Sequence, residues 1–226
     1  MGNSPPGFRN DAGTSNPGYF HADPAYHNKR LKLQQVPEEY AQLLFFFKAT
    51  KAKYYLELGI GNGGSFVLNT HFLSKNLVQA VAVDALSYGA LIGQNEEEVN
   101  RFMTQARRMS PKASMFFMNA KTDDFFRDNL DPEMRFDMIF IDADHSYEGA
   151  HRDYENALLW LNKGGWLVFH DIVSEGCPGV RRLWKEVKHE QGPENASEFI
   201  ASETCGIGVI RATNGTRPNC GNKAIR

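Results

Sequence analysis

The chain has 226 residues, 42% of them hydrophobic, and a formal net charge of −2. That length and apolar content suit one domain with a substantial core, and the near-neutral balance gives no basic bias toward nucleic acid. Three cysteines (Cys177, Cys205 and Cys220) make an odd set with no CxxC, so their spacing yields neither a disulfide framework nor a zinc site.

The start, MGNSPPGF, lacks a charged-then-apolar signal pattern, and Pro6 stands where a myristoylation motif needs Ser or Thr. The densest apolar run, Leu43–Phe47, is far too short to span a bilayer. These features predict a soluble, cytoplasmic protein with no membrane or nucleic-acid partner. Residues 1–30 are rich in Gly, Pro, Asn and Ser and read as a flexible segment. Tyr19, Phe20, His21, Tyr26 and His27 are unusual in a free tail, and folding over a pocket as a lid is the alternative. The domain proper is expected over 31–212, with a polar tail over 213–226.

Pro37 opens a helix with Glu38 and Glu39 in its first turn, where acids suit the dipole. Tyr40, Leu43, Leu44 and Phe47 follow at helical spacing. Tyr54–Leu58 is a short apolar run suited to a buried strand, and Glu57 lies near its end. Gly59, Gly61, Gly63 and Gly64 come next, where absent Cβ atoms let the backbone turn sharply and approach a ligand. A helix over about 64–74 then turns the free N–H groups near Ser65 toward that turn.

Leu77–Val83 is the second strand and ends in Asp84. The acid lies 21 residues beyond Gly63, close to the roughly 20 that place a carboxylate on ribose hydroxyls. A helix follows from Asn95, a capping residue, to Met109. Ser114–Met118 is the third strand, and Asn119 at its end would approach an adenine edge. A short helix is expected over Asp123–Asn129. Phe136–Ile141 reads as a central parallel strand running into Asp142-Ala143-Asp144-His145. The next helix carries Ala150, Tyr154, Ala157 and Leu158, with Asn162-Lys163-Gly164-Gly165 predicted as its stop. Trp166–Phe169 is the fifth strand, leading into His170-Asp171. A helix over Pro178–Glu190 and two strands, Glu198–Ala201 and Gly206–Arg211, complete the pattern. Alternating strands and helices with polar residues at each strand's carboxyl end predict an α/β, Rossmann-like, doubly wound sheet of seven mostly parallel strands.

Taken together, ELGIGNGGS, Asp84, FDMIFIDADHSYEG and LNKGGWLVFHDI resemble a class I S-adenosylmethionine-dependent methyltransferase over roughly residues 37–212. Within that class the chain is most similar to small-molecule O-methyltransferases related to macrocin O-methyltransferase. The resemblance implies S-adenosylmethionine as cofactor, bound by Glu57, Gly59, Gly61, Gly63, Ser65, Asp84, Asn119 and Asp142. It also implies a divalent metal, Mg²⁺ or Mn²⁺, on Asp142, His170 and Asp171, with His145 as general base. An imidazole of ordinary pKa, near 6.5, accepts a proton at neutral pH. An imidazole ligand at 170 would shift metal preference away from Mg²⁺.

The implied reaction moves a methyl group to a hydroxyl of a small molecule, with a sugar as one class of acceptor. Homo-oligomerisation stays open. The glycine turn also fits a nicotinamide fingerprint, so a dehydrogenase on the same sheet is one alternative, and a non-catalytic cofactor-binding scaffold is another. DADH stands where a base N-methyltransferase would carry an NPPY-type motif.

Overall fold

The computed structural model describes residues 8–10, 20–22, 31–33, 35–85, 96–128 and 134–213. Three short strands, β1 (Phe8–Asn10), β2 (Phe20–Ala22) and β3 (Leu31–Leu33), pair antiparallel in that order as a small separate sheet. Most of the Tyr19–His27 stretch, the Asn95 cap and the 213–226 tail beyond residue 213 lie outside the described residues.

From α1 (Pro37–Ala49) onward, strands and helices alternate: β4 (Tyr54–Leu58), α2 (Gly64–Leu73), β5 (Gln79–Asp84), α3 (Glu96–Met109), β6 (Ser114–Asn119), α4 (Thr122–Asp128), β7 (Phe136–Ile141), α5 (Tyr147–Trp160), β8 (Leu161–His170) and α6 (Pro178–Gln191). A 3₁₀ turn, Pro193–Asn195, leads to β9 (Ala196–Phe199) and β10 (Ile207–Arg211). The seven-stranded sheet runs β6-β5-β4-β7-β8-β10-β9, with only β10 antiparallel to its neighbours. Strand order reverses between β4 and β7, and the crevice at such a switch point is where open α/β sheets take ligands.

Strand alternation divides the core in two. Tyr55, Ala80, Ala82, Met138, Phe140 and Val168 face the side covered by α1, α2 and α3, which contribute Leu43, Phe47, Phe66, Phe102 and Met103. Leu56, Leu58, Val81, Val83, Ile139, Ile141 and Phe169 face the other side, with Phe125, Tyr154, Leu183 and Trp184. Helices on both faces leave the carboxyl edge of the sheet free for chemistry.

Several predicted boundaries move, most by one or two residues, and two shifts have a visible cause. Gly164-Gly165 does not stop α5. Leu161 is already extended (φ −86°, ψ 137°) and pairs with Phe136. The residues up to Trp166 form an irregularity in β8, held by Asn162 Nδ2 donating to Asp137 Oδ1 at 2.7 Å. The penultimate strand ends at Phe199 rather than Ala201, because the backbone N–H groups of Ala201 and Ser202 are drawn away by Glu39.

Glu39 is fully buried rather than lying on a solvated helix face. Its Oε1 accepts Ala201 N at 2.9 Å and Ser202 N at 3.2 Å, and its Oε2 accepts Gly206 N at 2.9 Å. The carboxylate therefore clamps the loop between β9 and β10. Glu39→Ala should orphan the buried Gly206 N–H at about 1–3 kcal/mol. A drop in melting temperature of roughly 2–4 °C per kcal/mol checks this in a thermal scan, and an unchanged melting point would contradict the clamp.

Candidate active site

The glycine turn closes directly on the switch point. Asp142 N donates to Leu58 O at 2.9 Å, tying β7's exit to the end of β4. Gly59 has φ +80°, and a Cβ there would overlap the Asp142 carbonyl. Gly59 thus allows two strand ends to touch. Gly63, at φ +79°, is the αL N-cap of α2 and has no side-chain cap, so the first N–H groups of the helix have no capping side chain. Asp84 Oδ2 accepts Ile60 N at 2.8 Å and Gly61 N at 3.3 Å, placing the acid of β5 against the same turn. Asn119 is beside it in register, paired with Asp84 across β5 and β6.

Glu57 lies beneath this turn, not in the crevice. It is fully buried, and Oε1 accepts the Ser65 hydroxyl. Oε2 accepts Tyr55 OH at 2.5 Å and Asn69 Nδ2 at 3.1 Å. Asn69 Oδ1 in turn accepts Tyr40 OH at 2.7 Å. The network joins α1, β4 and the first two turns of α2, so Glu57 and Ser65 fix the helix that carries the glycine turn. Tyr40, Tyr55 and Asn69 are absent from the predicted site because helical and strand periodicity marks such residues only as core.

Burial raises the Glu57 pKa from the ordinary 4.5 to about 7, against the lowering effect of the hydrogen bonds from Ser65, Tyr55 and Asn69. The folded state therefore binds this proton more tightly than the unfolded chain. The stability so gained is complete below about pH 4.5 and is lost as pH rises through about 7. Glu57→Gln should remove this dependence: between those pH values, wild-type stability falls relative to the variant. Denaturant midpoints measured across that range check it, and a constant difference would contradict it.

Four polar side chains meet at the ends of β7 and β8. His145 Nε2 is 3.0 Å from Asp171 Oδ2 and 3.5 Å from Asp142 Oδ1. His170 Nδ1 is 3.2 Å from Asp171 Oδ2 and 3.4 Å from Asp142 Oδ1. The two imidazoles are thus equivalent toward the two carboxylates. Gln35 Nε2 adds a 3.4 Å contact to Asp142 Oδ2. Ser146, not His145, caps α5, its Oγ accepting Gly149 N at 3.1 Å. Asp171 adopts φ +62°, the one positive φ among the described non-glycine residues. Backbone strain of this kind persists where the surroundings enforce it, and it concentrates at functional sites.

The electrostatics follow. Hydrogen bonds to Asp142 and Asp171 raise the His145 pKa to about 10, against partial burial. For His170, burial acts to lower the pKa, but the Asp142 charge and bonds to both aspartates drive it well above the usual range. Asp171 is pulled well below the usual carboxylate range by the two imidazoles, in spite of its burial. Two carboxylates and two imidazoles from two strand ends are a donor set that suits a divalent transition ion better than Mg²⁺, which prefers oxygen. His170 Nε2 is buried and has no hydrogen-bond partner among the described residues.

Among the described residues no helix is long and apolar enough to cross a membrane. Comparison with curated proteins finds no match. Among solved structures, the chain is similar to an O-methyltransferase from Bacillus cereus in complex with S-adenosylhomocysteine (18% identity, 83% of this chain and 84% of that one, TM-score 0.54). It is also similar to the O-methyltransferase TomG from Streptomyces achromogenes, involved in tomaymycin synthesis and solved with S-adenosylmethionine (15% identity, 80% and 81%, TM-score 0.56). A third is the N-methyltransferase NodS from Bradyrhizobium japonicum WM9 (16% identity, 80% and 100%, TM-score 0.53). At such identities the likeness establishes the fold, which serves oxygen and nitrogen acceptors alike. The family model described as a methyltransferase domain matches residues 56–172, from within β4 to just beyond Asp171. That span exceeds half of the chain and contains the glycine turn, Asp84, Asp142, His145, His170 and Asp171, and the chain belongs to this methyltransferase family.

Proposed function

We propose that this protein transfers the methyl group of S-adenosylmethionine to a hydroxyl of a small molecule, with sugars among the acceptor classes. One observation carries the reading: the Gly59 turn packs against the Asp142 backbone, so the turn and the histidine–aspartate cluster share one edge of the sheet. The turn fits the cofactor because its αL glycines let the backbone fold tightly against Asp142 and Phe102, and Asp84, held against that turn, is the proposed ribose acceptor.

The cofactor supplies an activated methyl on a positive sulfur. The chain's part is to hold the acceptor oxygen in line and to take its proton. His145 is the proposed proton acceptor: it is half-exposed, at the mouth of the cluster. With only Asp142 and Asp171 around it, it stays protonated up to about pH 10 and cannot accept at neutrality. Asp142, His170 and Asp171 are the proposed holders of a divalent cation, which when bound would neutralise the carboxylates and acidify the acceptor hydroxyl. A neutral His145 Nε2 could then receive the acceptor's proton and release it to solvent.

Calorimetric titration with S-adenosylhomocysteine and with NAD tests the cofactor assignment. The homocysteine nucleoside should bind and NAD should not, and the reverse would overturn the proposal. Asp84→Ala should weaken S-adenosylhomocysteine by roughly tenfold or more, through lost charge-assisted bonds and a loosened turn; unchanged affinity would remove Asp84 from the cofactor site.

A further inference from the structure

The loop between β9 and β10 brings a sulfur to the histidine–aspartate cluster. Resting on the metal reading proposed above, we infer that Cys205 is a further ligand of that site and that its thiolate makes the site select a borderline cation of the zinc class over Mg²⁺. His170, Asp171 and Cys205 present ligand atoms that all lie within 4.8 Å of one another. Metal–ligand bonds of about 2.0–2.3 Å place donors of one ion at such separations. The Cys205 thiol also borders the His170 ring.

The placement of Cys205 is enforced. Its carbonyl accepts Val173 N at 2.9 Å, and the next carbonyl, of Gly206, accepts Ile172 N at 3.3 Å. Both bonds tie the loop to the two residues that follow Asp171. Glu39 holds the other side of the loop through Gly206 N at 2.9 Å. Gly206, at φ +75°, packs so closely on Ile172 and Val173 that a Cβ would meet both side chains at 2.9 Å. Three elements distant in sequence thus fix one thiol beside a buried imidazole whose Nε2 has no partner among the described residues.

The donor set decides the metal. Mg²⁺ takes oxygen ligands and keeps several waters, whereas thiolate and imidazole favour Zn²⁺ and its neighbours. Coordination forms a metal–sulfur bond, and the thiol proton leaves to solvent, so binding releases a proton. A second thiol, Cys177, lies 3.6 Å from Asp171 Oδ2 on the His145 side. With His145 and Asp171 it forms a second cluster of ligand atoms within 4.8 Å of one another, so it is the competing thiol that the test separates from Cys205.

The test uses chelator-treated full-length protein. Equilibrium dialysis against Zn²⁺, Co²⁺ and Mg²⁺ should show tighter binding of the first two. The Co²⁺-loaded protein should show a thiolate-to-cobalt charge-transfer band in the near ultraviolet. Cys205→Ser should abolish that band and weaken Zn²⁺ by about tenfold or more, while Cys177→Ser keeps the band. Preference for Mg²⁺, no metal binding, or a band lost only in Cys177→Ser would each overturn the inference. The Zn²⁺/Mg²⁺ comparison needs no variant, so misfolding of Cys205→Ser does not blunt it. S-adenosylhomocysteine affinity, measured on the same samples, separates the readings: its loss would sink the methyltransferase proposal without moving the cobalt band.

Discussion

His145→Ala should lower kcat by about 10²–10⁴-fold, the usual contribution of a positioned general base, and should leave S-adenosylhomocysteine affinity unchanged. The imidazole sits at the open side of the cluster, 3.0 Å from Asp171 Oδ2, while the glycine turn is reached through Asp142. Removing it withdraws the proposed proton acceptor without touching the turn. The methyl donor needs no activation from the protein, so the loss falls on deprotonation of the acceptor and appears in kcat. Unaltered turnover would show that the acceptor loses its proton elsewhere. A fall in nucleoside affinity equal to the fall in kcat would instead mark His145 as part of the cofactor pocket.

Gly59→Ala should be the most damaging single-atom-group change near the site. At φ +80° a non-glycine residue carries about 1–2 kcal/mol of strain. The larger effect is geometric, because the added Cβ overlaps the Asp142 carbonyl and forces β4 and β7 apart at their carboxyl ends. Both the turn and Asp142 then shift, and a displacement of about 1 Å can cost 10²-fold in an aligned transfer. The expected result is loss of measurable S-adenosylhomocysteine binding together with a lowered melting temperature. Gly176→Ala is the matched control, since its Cβ would meet only Ser174 Oγ, at 3.6 Å. Equal behaviour of the two variants would contradict the account of the turn.

The sheet is legible in the sequence where burial dictates composition. β4 and β7 are largely apolar runs, each interrupted by one acid (Glu57, Asp137), because helices cover both faces, and their polar exits mark the carboxyl edge. The α5–β8 boundary is not legible, because Gly164 and Gly165 serve a bulge there as readily as a helix stop. Glu39 looks like a first-turn acid, since the amides it holds lie more than 160 residues away and leave no local trace. Resemblance picks out Asp142, His145, His170 and Asp171, but not the equivalence of the two histidines toward both carboxylates, which depends on the meeting of two strand ends. Cysteine spacing does not point to Cys205, because the thiol comes beside His170 only through the antiparallel pairing of β10 with β8. Local patterns report what is buried, and long-range closure decides what meets.

A crystal structure with S-adenosylhomocysteine bound tests the central claim most directly. The adenosyl group should lie over the Gly59–Gly63 turn with its ribose at Asp84, and the sulfur should face the cluster of His145, Asp142 and Asp171. A nucleoside seated away from that turn, or a sulfur directed away from His145, would contradict it.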